Sequence, residues 1–212
     1  MLLKRHNAIF IHIPKNAGKS ISRAFLTAQG VAWSQRHKFV MGFNRDPNLG
    51  PDRLTHLAAR EFVDLGYMTR AEFRRCYKFA FVRNPWARML SAYLFTIKRN
   101  KCKSFVDFIQ RSSDRGVIES SRVGQLPYKR LCMQQYYYLC NKSGKVIVDF
   151  IGRFENLARD FKEVAKVLGV SIRLGHENKT RHSHYRKHYS PKAKKLVSKI
   201  YEIDIDNFKY AY

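Results

Sequence analysis

The chain is short of acid. Its 212 residues hold 16 Asp and Glu against 41 Lys and Arg, a formal charge of +25 before any histidine ionises. Self-repulsion on that scale costs stability and calls for polyanionic partners. Nucleic acid, an anionic polysaccharide and an anionic membrane all qualify, and charge alone does not choose among them. Long apolar runs are also missing. None approaches the ~20 residues that span a bilayer. The run Ala8–Ile13 is shorter than a signal-peptide core and lacks a small-residue cleavage site. The expectation is a soluble or cytoplasmic chain, with at most peripheral association with an anionic membrane. Cysteine is scarce. Cys76, Cys102, Cys132 and Cys140 form no C-x-x-C pair and no zinc spacing, which argues against a disulfide framework and a structural metal. Half-buried, reduced thiols are expected.

What is present is enough for a core. Apolar residues make up 45% and aromatics 14%, as in a folded globular protein. Length, with no internal repeat and no low-complexity linker, points to one domain over residues 1–212. Ala8–Ile13 reads as a buried strand. Ser20–Gln29 reads as a helix with Ile21, Ala24, Phe25 and Ala28 on one face, ended by Gly30. Residues 31–53 should be mostly loop. A helix is expected over Leu57–Leu65, and another over Arg70–Cys76, capped by Thr69 with Glu72 at its third position. Lys78–Val82 is a second buried strand, after which Pro85 opens a helix over Trp86–Lys98.

Ser104–Arg111 is a short amphipathic helix, and Ser112–Gln125 a polar surface loop. Gln134–Leu139 and Val146–Ile151 read as strands around the turn Asn141–Gly144. Glu155 or Asn156 opens a helix to Leu168, closed by Gly169. Ser190-Pro191 starts a helix to about Ile203 that buries Ala193, Leu196, Val197 and Ile200. Strands alternating with helices predict an α/β fold: a three-layer, P-loop-like domain with a mainly parallel central sheet flanked by helices.

Two segments carry the chemistry. In Ile9-Phe-Ile-His-Ile-Pro-Lys15-Asn-Ala-Gly-Lys-Ser20 a strand runs through a basic turn into a helix. Free N–H groups and the helix dipole favour an anion there, Gly18 permits close backbone approach, and Lys15, Lys19 and Ser20 add charge and a hydroxyl. The fragment Gly18-Lys19-Ser20 looks like the end of a Walker A loop, but the leading glycine is missing, since position 13 is Ile. The second segment, Lys78-Phe-Ala-Phe-Val-Arg83-Asn-Pro-Trp-Ala-Arg88-Met-Leu-Ser91-Ala-Tyr93, repeats the strand–turn–helix plan. Arg83 at the strand end can fork onto a phosphate. Two such turns suit a ligand with phosphate at two positions.

The pair resembles the two nucleotide-binding motifs of carbohydrate sulfotransferases that use 3′-phosphoadenosine 5′-phosphosulfate (PAPS), of the Golgi-type carbohydrate and heparan sulfate 2-O-sulfotransferase kind. The first motif there reads His-Ile-Pro-Lys-Thr-Ala-Gly-Thr-Ser; here Asn16 and Lys19 replace the threonines. The resemblance assigns Lys15, Asn16, Ala17, Gly18, Lys19 and Ser20 to the 5′-phosphosulfate, with Lys15 at the leaving group. It assigns Arg83 and Ser91 to the 3′-phosphate, and leaves Arg88 either there or paired structurally with an acid. His12 reads as a packed core histidine. Asp149–Leu157, His176–Thr180, Tyr185 and Tyr201–Tyr210 look like later blocks of the same family. Asn178, Lys179 and Thr180 are read as further nucleotide neighbours.

Sulfuryl transfer needs an alcohol in line, a base for its proton and cations at the leaving phosphate. Thr55-His56-Leu-Ala-Ala resembles the family's His-x-x-Ala segment, so His56 is the expected base, titrating near ~6.5, with Glu61 and Glu72 in reserve. His182, His184 and His188 invite a metal, but their basic neighbours and the metal-independent chemistry of the family argue for a substrate or nucleotide loop. The implied activity is transfer from PAPS, leaving PAP, to a hydroxyl of an anionic carbohydrate acceptor, without a metal or a specific nucleic acid. Two rivals stay open. One is a P-loop kinase or nucleotidase, with Asp149 after Val146-Ile-Val holding Mg²⁺. The other is a non-enzymatic binder of nucleic acid or another polyanion.

Overall fold

The computed structural model describes residues 1–96, 102–113, 128–175 and 183–212. Asn178, Lys179, Thr180 and His182, with most of the expected loop 112–125, lie outside the described residues. A four-stranded sheet forms the centre, in the order β1 (Leu2–Leu3), β2 (Ala8–Ile11), β3 (Tyr77–Val82), β4 (Phe150–Arg153). β1 is antiparallel to β2, and the other two pairings are parallel. The mainly parallel expectation holds. Phe10 stands opposite Phe79, which in turn stands opposite Phe150.

Side-chain alternation divides the core in two. Along β2 and β3, Ile9, Ile11, Ala80 and Val82 face one way, and Ala8, Phe10, Phe79 and Phe81 the other. The first set packs under α4 (Pro85–Thr96), α5 (Phe105–Ser113) and α9 (Pro191–Ile200). The second packs under α1 (Gly18–Ala28) and α8 (Leu157–Val167), through Ile21, Phe25, Phe161 and Val164. These are the three layers. On α1 the buried face is Ile21, Ser22, Phe25 and Leu26, whereas Ala28 is exposed.

Several local signals hold. Thr69 and Glu72 form a complete capping box on α3 (Arg70–Arg75), and the Ser190 hydroxyl accepts from the Ala193 N–H at the start of α9. Other expectations are corrected. The helix expected over Leu57–Leu65 shrinks to α2 (Glu61–Asp64) after a 3₁₀ turn, Leu54–His56. Residues 31–53 include a 3₁₀ helix, Trp33–Phe39. The helix after Ser190 breaks at Tyr201 and restarts as α10 (Glu202–Phe208).

The expected strand Gln134–Leu139 is instead the short helix α7 (Tyr136–Leu139), which follows α6 (Tyr128–Cys132). The Asp204 carboxylate accepts the Gln135 and Tyr136 N–H groups, a long-range cap that no local propensity announces. Only a bridge between Cys140 and Val146 remains of the hairpin. The four cysteines are free thiols, three of them buried rather than half-buried. Among the described residues, no helix is long and apolar enough to cross a membrane.

Candidate active site

Both basic turns leave the same end of the sheet, at the C-terminal ends of β2 and β3. The first turn is shaped by two left-handed residues, Lys15 (φ 72°) and Ala17 (φ 61°), on either side of Asn16. Such positions cost non-glycine residues of order 1–3 kcal/mol and recur at ligand-binding loops. Ala17 occupies the N-cap of α1, no side chain caps that end, and its first turn carries no acid. Its N–H groups and dipole therefore point at the turn, and no acid of the helix's own first turn offsets them. Gly18 is required for a separate reason. A Cβ there would sit 1.9 Å from the buried His12 ring.

The Asn16 side chain is buried in the turn. It is 1% exposed, and its Nδ2 donates to the Phe81 carbonyl and to Gln135 Oε1, both at 2.7 Å. This amide ties the first turn to the end of β3, and its buried Oδ1 has no partner among the described residues. Lys19 is exposed and Ser20 is buried.

Arg83 follows β3. Its Nη1 donates to the Lys15 carbonyl at 3.1 Å, and its guanidinium stacks on the Phe154 ring at 4.1 Å. The buried Nε has no partner among the described residues. Burial pushes Arg83 down to about 10, with Arg88 lowering it further and Glu155 opposing. Lys15 is pushed down to about 8, first by burial and then by the Arg83 charge. Among the described residues no carboxylate forms an ion pair with either cation. Two crowded cations and an orphaned guanidinium N–H, beside an uncapped helix start, suit a polyphosphorylated ligand.

Arg88 does other work. It is 1% exposed and donates to the carbonyls of Pro14, Met133 and Leu131 at 2.9–3.1 Å. Neither a phosphate contact nor an ion pair with an acid accounts for it; it pins the first turn to α4. Ser91 lies buried one turn further along α4.

His56 arrives from the 3₁₀ turn. Its ring meets the His12 ring edge-on at 4.8 Å, and its Nδ1 lies 3.1 Å from the His12 carbonyl oxygen. Donation to that carbonyl requires the Nδ1–H tautomer and leaves the Nε2 lone pair for a proton. Burial pushes His56 down to about 4; the bond to His12 opposes, while Arg53 and Arg130 assist. Burial thus moves His56 below the ~6.5 expected of a free ring and favours its neutral form.

The reserve bases are engaged by other groups. Glu61 is held by Arg130 at 2.6 and 2.7 Å and by the Ala58 N–H. Glu72 sits in its capping box on α3, which enters the opposite end of β3. The acid of the kinase rival is engaged in the same way. Asp149 precedes β4, bonds to the Lys78 N–H and Nζ, and lies at the far end of the sheet from the turn.

Sequence reading missed Gln135. Fully buried, it accepts from Asn16 Nδ2 and the Arg83 N–H, and donates to the Arg83 carbonyl and to Asp204. It joins the two turns, and no periodicity or motif marks it. His184 and His188 engage the Arg186 N–H and the Ser183 hydroxyl. Among the described residues, no group of three or more His, Cys, Asp or Glu could hold a metal ion.

An uncharacterised protein of Archaeoglobus fulgidus is 35% identical over 98 residues, covering 45% of this chain and 70% of the relative. No solved structure matches the chain. A family model described as the sulfotransferase family matches residues 1–211. The chain belongs to the sulfotransferase family.

Proposed function

We propose that the chain, as a single domain over residues 1–212, transfers the sulfuryl group of PAPS to a hydroxyl of an anionic carbohydrate. The contact between the two turns carries this reading, for it puts Lys15 and Arg83 side by side with no carboxylate in an ion pair with either among the described residues. One phosphate suits Lys15 and the start of α1, and a second suits Arg83. Glu155, the acid beside Arg83 after β4, is engaged by the Asn84 N–H and the Tyr210 hydroxyl rather than left for Mg²⁺, and the net charge of +25 fits an anionic acceptor.

PAPS supplies the sulfuryl group and leaves as PAP. Lys15 places an ammonium at the bridging oxygen, where negative charge grows as the S–O bond to the 5′-phosphate breaks. Arg83 holds the 3′-phosphate and fixes the donor in line. His56 Nε2 takes the acceptor hydroxyl proton as the new S–O bond forms. The turn and His56 meet through His12, whose carbonyl orients the His56 ring and whose own ring packs beneath Gly18.

Calorimetry with PAP tests the nucleotide assignment. Wild type should bind, and Arg83→Ala should weaken binding by roughly 2–4 kcal/mol, since a desolvated charge-assisted contact is lost. Unchanged affinity in Arg83→Ala would overturn it.

A further inference from the structure

The Lys15 ammonium rests on an aromatic ring. Its Nζ lies 4.1 Å from the centroid of Phe95. Phe95 stands in the last turn of α4 and is 67% exposed. Its position is not incidental. Asn84, Arg88, Ser91 and Phe95 are spaced by four, three and four residues, which is one helix face. Asn84 caps α4 through the Trp86 and Ala87 N–H groups, Arg88 holds Pro14 of the first turn, and Ser91 is buried. The helix thus runs beside the turn and ends with an open aromatic face at the reacting lysine.

We infer that Phe95 is the stacking platform for a sugar ring of the acceptor, covered by Lys15 until a phosphorylated nucleotide draws the ammonium away. This rests on the PAPS reading above. A cation on a ring face is a weak contact at an exposed site, and an ion pair with phosphate displaces it. The uncovered face is the negative pole of the ring quadrupole, which suits the C–H face of a pyranose. A ring stacked there lies next to the Lys15 ammonium and so beside the bond that breaks. The device makes binding ordered: nucleotide first, sugar second.

The test compares wild type, Phe95→Ala and Phe95→Trp. The side chain is exposed, so the fold should survive each change. PAP should bind Phe95→Ala about two- to five-fold more tightly than wild type, because no cation–π contact has to be broken. Saturation-transfer NMR with an unsulfated, uronic-acid-containing hexasaccharide should show sugar contact in wild type with PAP and in Phe95→Trp with PAP. It should show none in wild type without PAP and none in Phe95→Ala. Weaker PAP binding in Phe95→Ala would make the ring a nucleotide wall and overturn the proposal. So would unchanged PAP affinity, equal sugar contact in Phe95→Ala, or no sugar contact in wild type with PAP. Failure of wild type to bind PAP at all would instead sink the PAPS reading, and this proposal with it.

Discussion

Arg83 Nη1 donates to the main-chain oxygen of Lys15 across 68 residues of sequence. The bond turns two separate strand ends into one site. It also brings a guanidinium close to an ammonium whose burial already lowers it, and the Arg83 charge lowers it further. An anion placed between them relieves that repulsion, so nucleotide binding and site assembly are coupled.

Lys15→Ala should lower kcat by ~10²-fold or more, with a smaller effect on PAP affinity, because the ammonium meets charge that appears only in the transition state. Steady-state kinetics beside PAP calorimetry separates the two. Equal losses would reduce Lys15 to a binding residue.

The pH dependence of kcat/KM follows from Lys15 and His56. Lys15 acts protonated and is lowered to about 8, so activity of the free enzyme should fall as pH rises through about 8. His56 acts neutral and is lowered to about 4, so activity should hold down to about pH 4, not fail near ~6.5. His56→Ala should cost ~10²–10⁴-fold in turnover and leave PAP affinity nearly intact. A profile that breaks near ~6.5 in wild type and persists in His56→Ala would assign the proton to another group.

Gln135→Leu should destabilise the fold by about 3 kcal/mol in denaturant unfolding, since buried partners on Asn16, Arg83 and Asp204 are left unpaired. PAP should lose affinity more than adenosine 5′-phosphate does, because the residue sets the spacing of the two turns. Equal losses for both ligands would leave Gln135 a purely structural residue.

Gly18→Ala should cost about 1–3 kcal/mol by overpacking against the His12 ring. Adding His12→Ala should recover part of that loss in thermal unfolding. If the double variant is no more stable than the single one, the ring is not the obstacle.

The local part of this structure was written in the sequence. Apolar runs Ala8–Ile11 and Tyr77–Val82 formed buried strands, and Thr69 with Glu72 closed the box their spacing announces. Gly18 and Arg83 sat at the turns where a motif placed them. Strand alternation and helix capping depend on neighbours a few residues away, so a linear reading reaches them.

Other features were decided by partners far along the chain. Gln134–Leu139 had strand composition, yet Asp204, nearly 70 residues away, capped it as a helix. Asn16 matched a loop that binds phosphate, but Phe81 and Gln135 took its side chain. His56 lost its ordinary titration to burial, and Arg88 found three carbonyls in place of an anion. The sequence alone determined which backbone turns this chain makes and where its cations lie along it. Only the tertiary structure decided which polar groups are buried and paired, because desolvation and hydrogen-bond pairing are set by whatever the fold packs against them.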